Sequence, residues 1–163
     1  MNSKSLELYE KKGYRPCVGM IVVNQEGKIF VGERTDVKGA WQMPQGGISS
    51  GEMPLKAAYR ELHEETGMAQ RDLILKAQAK RVYIYDFPSK TAHRTFGGKY
   101  KGQVQQWFLF RFAGNDSSVN IAQSEQEFSA WKWEAPNIVL GLAVDFKTDV
   151  YREVFCDFCI KVS

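Results

Sequence analysis

The chain has 163 residues, of which 44% are hydrophobic and 25% are charged, and its formal net charge is +3. This length suits one domain with a sizeable core, and the charge is too small to indicate binding of duplex DNA or of a membrane surface. No apolar run approaches the roughly 20 residues of a spanning helix, and the polar N-terminus lacks the pattern of a secretory signal. We therefore expect a cytoplasmic protein with a single domain over residues 1–163.

The three cysteines, an odd number, favour a reducing compartment over a disulfide framework. Cys156 and Cys159 form a CxxC pair, but no second pair of cysteines or histidines completes a zinc site. The surrounding residues have the pattern of an amphipathic helix, so we expect both to be buried or half-buried structural cysteines. Cys17 lies in an apolar run and is expected in the core.

The first predicted elements are two strands and a loop. Residues 17–23 form a continuous apolar, β-branched run that is typical of a buried strand. A turn at 24–27 and a second strand at 28–34 predict a hairpin. Residues 35–47 show no period and end in two glycines, so we expect a loop there.

A helix is predicted from Met53 to Thr66. Pro54 suits the first helical turn, and Gly67 suits the position just past the end. The helical period gathers an apolar stripe that should face the core, and its members are Leu55, Ala58, Tyr59, Leu62 and Thr66.

The remaining sequence predicts three strands, at 73–87, 104–112 and 128–133, and a mostly helical segment at 137–158. A long polar loop at 88–102 separates the first two of these strands. The aromatic residues Trp107, Phe108 and Phe110 are expected in the core of the sheet. This order of elements favours an α/β (α+β) fold in which a mixed sheet lies between helices.

Three glutamates of the predicted helix, Glu61, Glu64 and Glu65, gather on one face because they occupy positions i, i+3 and i+4. The basic neighbour Arg60 is expected to project away from them. One interpretation of this face is a solvated acidic surface. The other is a divalent metal site, because Mg²⁺ prefers carboxylate oxygens and retains positions for substrate phosphates.

The segment from Gly46 to Met68 has the spacing G-x5-E-x7-R-E-U-x-E-E-x-G-U, where U is apolar. It resembles the signature of the Nudix hydrolases. The resemblance implies the Nudix fold, with a core at about residues 13–158, and hydrolysis of a nucleoside diphosphate linked to another group.

The resemblance also implies roles for the residues of this segment. Glu61, Glu64 and Glu65 would bind Mg²⁺ or Mn²⁺, with the carbonyl of Gly46 as a further ligand. The structural positions of the motif would be Glu52, Arg60 and Gly67, and the first two would form a pair that holds the loop against the helix.

Five flanking segments resemble the bacterial RNA pyrophosphohydrolases, which are also described as dinucleoside oligophosphate hydrolases. They follow in the same order and lie at 13–19, 41–47, 105–112, 127–133 and 145–151. The match departs at Gln106, where the subfamily commonly has a basic residue, and at Cys17, where it often has asparagine. The choice between RNA ends and dinucleotides therefore stays open.

This second resemblance implies a fourth carboxylate, Glu127, as a metal ligand or as the general base, with Glu64 as the alternative base. The acids Glu125 and Glu134 lie nearby in the sequence but not at the matching position. Arg34 and Phe146 would hold the first base of the substrate between a guanidinium group and an aromatic ring.

Phosphate contacts would come from Arg15 and Lys147. Val144 and Tyr85 would shape the pocket, with packing in the core as the alternative. From Lys76 to Gly102 there are seven basic residues against one acid, Asp86. A basic loop facing the carboxylates would attract a polyphosphate, although a solvated surface loop would have the same composition.

The implied reaction removes pyrophosphate from 5′-triphosphorylated RNA and leaves a 5′-monophosphate, by metal-assisted attack of water. The main alternative is hydrolysis of diadenosine tetraphosphate to ATP and AMP. A Nudix module that binds nucleotides without hydrolysis is a third possibility, but such modules typically lose box glutamates that this chain keeps. No protein partner is indicated.

Overall fold

The computed structural model describes residues 2–89, 95–122, 125–143 and 145–162, with only the backbone described at Thr95, Asp145 and Phe146. Val144 therefore lies outside the described residues, and so does the side chain of Phe146. In the described ranges, no helix offers the long apolar stretch that a bilayer-spanning segment requires.

Within the described ranges, eight strands form one mixed sheet. In chain order they are β1 (Tyr14–Val23), β2 (Ile29–Arg34), β3 (Trp41–Gln42), β4 (Gln45–Gly47), β5 (Leu73–Gln78), β6 (Tyr83–Asp86), β7 (Gly102–Phe112) and β8 (Phe128–Glu134). The helices are α1 (Asn2–Lys11), α2 (Pro54–Thr66), α3 (Pro136–Leu142) and α4 (Asp145–Asp157).

The centre of the sheet is the parallel pair of β1 and β7, which runs in register from Tyr14 opposite Gly102 to Val23 opposite Arg111. The other strand pairs are antiparallel: β2 and β4 pair with β1, β5 and β6 pair with β7, and β3 and β8 pair with β2. Because β1 is buried on both faces, it needs a continuous apolar run rather than an alternating one.

Side chains of the central strands alternate between two cores, as the period of two along a strand requires. Val18, Met20 and Val22 of β1 pack with Ala58 and Leu62 of α2. On the opposite face, Ile21 packs with Trp107, Tyr151 and Phe155, the last two from α4. The predicted sheet between helices is confirmed, and the core positions of Cys17, Trp107, Phe108 and Phe110 are confirmed with it.

The predicted loop at 35–47 is wrong in its second half, where the short strands β3 and β4 form. These strands carry no apolar period because they are only two and three residues long. They exist because β1 and β2 offer backbone partners: Cys17, Val18 and Gly19 pair with β4, and β3 pairs with β2.

The single strand predicted at 73–87 is two strands, β5 and β6, which both pair with β7. The pairing shifts at a bulge between Leu75 and Ala77, and the chain turns at Lys80 and Arg81 before β6 begins. Apolar residues continue through this break, so the sequence pattern does not reveal it.

The helix predicted at 137–158 is likewise two helices, because Ala143 adopts an extended conformation with ψ of 141° at the end of α3. The prediction of buried or half-buried Cys156 and Cys159 is wrong, since both are exposed. The buried face of α4 carries Tyr151, Val154 and Phe155. Helix α1, which was not predicted, is polar and buries only Leu6.

Candidate active site

The loop between β4 and α2 is fixed at both ends. Gly46 pairs with Val18 of β1, so the loop starts on the central strand. Pro54 occupies the first turn of α2, and Gly67 ends the helix in the left-handed region with φ of 74°. The backbone N–H of Gly67 donates to the carbonyl of His63 at 2.9 Å, so the helix terminates at the position that the glycine predicts.

The guanidinium group of Arg60 joins the loop to the helix. Its Nε and Nη2 donate to the two carboxylate oxygens of Glu52 at 2.8 and 2.9 Å, and Nη2 also donates to the carbonyl of Gly47 at 2.8 Å. Bidentate charge-assisted hydrogen bonds of this kind are among the strongest in proteins. The hydrogen bonds from Arg60 lower the pKa of Glu52 to about 2.

The same guanidinium group also turns to the acidic face, so the expectation that Arg60 projects away from it is wrong. Nη1 of Arg60 lies 2.9 Å from Glu61 Oε1 and 3.3 Å from Glu64 Oε2. The spacing of i and i+4 brings Arg60 over Glu64, and the curl of the loop brings Glu52 to the opposite side. One cation therefore contacts three of the four carboxylates of this segment.

Glu65 is the exception among these acids. It is only 8% exposed, and within the described residues its Oε2 is a buried oxygen with no hydrogen-bond partner. Burial first, and then the negative charges of Glu61 and Glu127, raise the pKa of Glu65 well above its usual range. A buried acceptor surrounded by other carboxylates is a group that a cation would satisfy.

Glu61 lies directly against the backbone of Gly46. A Cβ atom at Gly46 would fall 1.9 Å from Cδ of Glu61, so no other residue fits there without moving this carboxylate. Burial also raises the pKa of Glu61, and the hydrogen bond from Arg60 offsets part of this shift. The close approach brings the backbone of Gly46 beside the carboxylate cluster.

Glu127 reaches the cluster from another part of the chain. It immediately precedes β8, and its carbonyl accepts a hydrogen bond from the backbone N–H of Thr35 at 3.0 Å. This contact joins the start of β8 to the end of β2. The pairing of distant strands therefore supplies the fourth carboxylate of the site.

Glu61, Glu64, Glu65 and Glu127 line one cavity of about 690 Å³. Every predicted catalytic, metal-binding or substrate-binding residue whose side chain is described lines this cavity. These residues are Arg15, Arg34, Gly46, Glu61, Glu64, Glu65, Tyr85, Glu127 and Lys147. Of the remaining predictions for substrate contacts, Val144 and the side chain of Phe146 lie outside the described residues. Glu134 does not line the cavity, whereas Glu125 does.

Lys147 is a buried amine that faces this cavity. Its Nζ donates to Gln42 Oε1 at 3.1 Å, and it is 6% exposed. Burial, followed by the positive charge of Arg34, lowers the pKa of Lys147 to about 8. The amine therefore stays charged at neutral pH and loses its charge in mildly alkaline solution.

The two arginines of the cavity are held by neighbouring groups. Arg34 pairs with Asp36 through Nε and Nη2 at 2.9 and 2.5 Å. The guanidinium group of Arg15 lies 4.1 Å from the ring centroid of Phe96, a cation–π contact. Tyr85 is buried and packs edge-on against Phe87 at 6.0 Å, so it combines the two predicted roles of core residue and cavity wall.

The basic segment from Lys76 to Gly102 was expected to face the carboxylates. In the described part of this segment, no lysine or arginine lines the cavity. Arg81 instead pairs with Asp157 at 2.8 Å and Glu153 at 3.2 Å on α4. Lys90 and Arg94 lie outside the described residues. The break between β5 and β6 lies at Arg81, which pairs with α4, while Lys99 and Lys101 lie over the rings of Tyr100 and Tyr14.

Several cavity residues were not predicted. They are Val37, Gln42, Gln45, Gly47, Phe87, Phe96, Gln103 and Glu125. Among them, Phe96 had a signal in the sequence, because it is one of two aromatic residues, with Tyr100, in the polar loop at 88–102. Gln42 was missed because it lies in the segment that was expected to be a loop.

Among the described residues, no three Asp, Glu, His or Cys side chains close around a point where a metal ion could sit. In this arrangement Arg60 contacts the carboxylates of Glu61 and Glu64. The donor set is still of the kind that Mg²⁺ and Mn²⁺ prefer, namely carboxylate oxygens with one buried oxygen unpaired.

Comparison with known proteins agrees with this geometry. Residues 13–158 match the model of the NUDIX domain. The RNA pyrophosphohydrolase of Cereibacter sphaeroides is 47% identical over 146 residues, which cover 89% of this chain and 90% of that protein. The RNA pyrophosphohydrolase of Novosphingobium aromaticivorans is 47% identical over 148 residues, which cover 89% of this chain and 92% of its own length.

Solved structures show the same fold at low identity. The E. coli dihydroneopterin triphosphate pyrophosphohydrolase superimposes with a TM-score of 0.70 at 21% identity, covering 88% of this chain and 97% of that one. A C. elegans Ap4A hydrolase superimposes with a TM-score of 0.63 at 15% identity, covering 88% and 98%. The match over residues 13–158 and the relatives at 47% identity establish that the chain belongs to the Nudix family of hydrolases.

Proposed function

We propose that this protein is an RNA pyrophosphohydrolase, which removes pyrophosphate from 5′-triphosphorylated RNA and leaves a 5′-monophosphate. The observation that carries the hydrolytic chemistry is the buried, unpaired Oε2 of Glu65 beside Glu61 and Glu127. The substrate class is supported by relatives of that name that are 47% identical over most of both chains.

Mg²⁺ or Mn²⁺ would be held by carboxylates of Glu61, Glu64, Glu65 and Glu127, with the carbonyl of Gly46 as a further ligand. When bound, the cation supplies charge neutralisation at the phosphate oxygens and lowers the pKa of a bound water. Nη1 of Arg60 contacts only Oε1 of Glu61, so Oε2 of Glu61 is available as a ligand, whereas both oxygens of Glu64 lie 3.3 and 3.5 Å from Nη1. The bidentate pair of Arg60 with Glu52 can remain, because it uses Nε and Nη2.

In the proposed reaction, water attacks a phosphorus of the 5′-triphosphate and the bridging P–O bond breaks. The leaving phosphate oxygen takes the electron pair, and a carboxylate of Glu127 or Glu64 accepts the proton of the water. Arg15 and Lys147, which line the same cavity, would hold the phosphates. Arg34 would stack on the first base, with Phe146 as its partner.

The test is hydrolysis of a triphosphorylated oligonucleotide in ¹⁸O water, followed by mass analysis of both products. We expect pyrophosphate and 5′-monophosphorylated RNA, with one ¹⁸O in whichever product contains the attacked phosphorus. The kcat/KM for this substrate is then compared with that for diadenosine tetraphosphate. A clear preference for the dinucleotide, or binding without hydrolysis of either substrate, would contradict the proposal.

A further inference from the structure

A row of aromatic rings, each with a cation over its face, extends over the surface away from the glutamate cavity. It begins at Phe96, which lines the cavity and carries the guanidinium group of Arg15 at 4.1 Å from its centroid. The ring of Phe96 contacts the ring of Tyr100, with centroids 6.1 Å apart. The Nζ of Lys99 lies 5.2 Å from the Tyr100 centroid.

The row continues through Lys101, which follows Tyr100 in the chain. Its Nζ lies 4.9 Å from the ring centroid of Tyr14, and its backbone N–H donates to the carbonyl of Gly13 at 2.9 Å. Tyr14 meets Tyr9 of α1 edge-on at 5.9 Å, and Lys12 lies 5.1 Å from the Tyr9 centroid. We call these four ring–cation pairs the aromatic–basic track.

The track is accessible to a ligand. The side chain of Phe96 is 47% exposed, and the three lysines of the track are exposed. Phe96 also has a positive φ of 53°, which is unfavourable for an aromatic residue. Packing in the core does not explain a half-exposed ring held in this conformation.

We propose that the aromatic–basic track binds the RNA chain downstream of the 5′ end that enters the cavity. This inference rests on the function proposed above and extends it to the length of the substrate. Single-stranded nucleic acids bind to surfaces where bases stack on aromatic rings while cations follow the phosphates. A chain of rings and cations that starts inside the cavity has this composition and this direction.

The charges around the track limit where the RNA backbone lies. The hydroxyl of Tyr14 donates to Asp86 at 2.6 Å, so that ring is held by its edge and its face remains with Lys101. Glu7 and Glu10 of α1 line a separate cavity of about 550 Å³ beside Tyr100. These acids repel phosphate, so the chain should follow the lysine-bearing faces of the rings.

The track favours RNA over shorter substrates. A dinucleoside polyphosphate ends at its second nucleoside and has no phosphodiester chain to reach Tyr9 and Lys12. Extending a triphosphorylated RNA from a dinucleotide to a decanucleotide should therefore raise kcat/KM by about tenfold, the gain expected from one or two stacked bases.

The experiment compares the wild type with a Lys12→Glu, Lys101→Glu double variant. The matched control combines Arg71→Glu with Lys76→Glu, which also reverses two exposed charges. These residues lie just before and within β5, whose first residue Leu73 pairs with Phe112 at the far end of β7 from Tyr14. Thermal melts check folding, and Lys12→Glu alone serves if the double variant does not fold. Fluorescence anisotropy with a single-stranded RNA decanucleotide bearing a 5′-hydroxyl measures binding without the triphosphate.

We expect the double variant to bind this RNA at least tenfold more weakly, with a salt slope of log Kd reduced by about 1.4, and the control to bind like the wild type. The double variant should also lose the gain in kcat/KM with RNA length. Equal binding of the RNA by both variants, or a wild-type kcat/KM that does not change with RNA length, would contradict the proposal that the track binds RNA. If the proposed function is wrong, no triphosphorylated RNA will be cleaved. The anisotropy measurement alone then tests whether the track binds RNA.

Discussion

Arg60 and Glu52 form a bidentate ion pair that fixes the loop after β4 against α2, with donor–acceptor distances of 2.8 and 2.9 Å. The pair leaves Nη1 of Arg60 to contact Glu61 and Glu64. The position of the glutamate face relative to Gly46 therefore depends on Glu52, which lies eight residues before Arg60 in the sequence.

Glu52→Gln should reduce the free energy of unfolding by about 2 kcal/mol, because a charged hydrogen-bond pair is lost. The pKa of Glu52 is lowered from 4.5 to about 2 in the folded state, so its stabilisation is complete above pH 4.5 and is lost as the pH falls towards 2. Chemical denaturation at several pH values should show the two proteins converging in acid. Glu26→Gln, at an exposed ion pair with Lys28, is the control and should change stability by less than about 0.5 kcal/mol.

Glu65→Gln should have opposite effects with and without a divalent cation. Without one, the variant should be at least as stable as the wild type at neutral pH, because burial raises the pKa of Glu65 and the charged form is unfavourable in the folded state. With millimolar Mg²⁺, the wild type should gain about 2 kcal/mol or more and the variant much less. Thermal melts measure both effects. A wild-type Tm that does not change with Mg²⁺ would contradict the assignment of these carboxylates as metal ligands.

Glu64→Gln should lower kcat by about 10² or more, the range of a lost acid–base or metal-binding group. Its side chain is 56% exposed, so the fold should be unaffected. Steady-state release of pyrophosphate measures the effect. Glu134→Gln removes a nearby acid that does not line the cavity and should keep near-normal turnover. A Glu64→Gln variant as active as this control would exclude Glu64 from the site.

Gly46→Ala should abolish most activity while the protein stays folded. The added Cβ meets the flexible end of Glu61 at 1.9 Å, so the carboxylate moves rather than the sheet. A displacement of about 1 Å at such a site can lower the rate by about 10². Gly141→Ala is the control, because nothing lies within 4 Å of its Cβ, and it should be fully active. Full activity of Gly46→Ala would show that the position of Glu61 is not critical.

Lys147→Met should lower kcat/KM most strongly below about pH 8. The pKa of Lys147 is lowered to about 8, so its amine is charged below this pH and neutral above it. A phosphate contact made by this amine is present in the charged form, and the wild type and the variant should therefore converge as the pH rises. A pH profile of kcat/KM tests this, with Lys28→Met as the control. A constant ratio across the profile would argue against a charged contact.

Much of the candidate site is local in the sequence and could be predicted from it. Glu61, Glu64 and Glu65 share a face because of the helical period, and Gly67 ends the helix because glycine accepts a positive φ. The spacing of the motif could not show which groups the Arg60 side chain contacts, because the loop must fold back to place Glu52 and Gly47 beside it. It also could not distinguish the buried Glu65 from the exposed Glu64.

The apolar central strands, the amphipathic helix and the crowded set of carboxylates can all be predicted from the amino-acid sequence alone. Those features follow from local periods and from side-chain chemistry. Which distant groups join them depends on the folded chain. The pairing of β8 with β2 brings Glu127 to the cavity that Glu61, Glu64 and Glu65 line, and Arg81 pairs with α4 instead. The tertiary structure also placed Phe96 and Arg15 in contact at the cavity. Long-range backbone pairing leaves no periodic pattern in the sequence, which is why these parts of the site appear only in the folded chain.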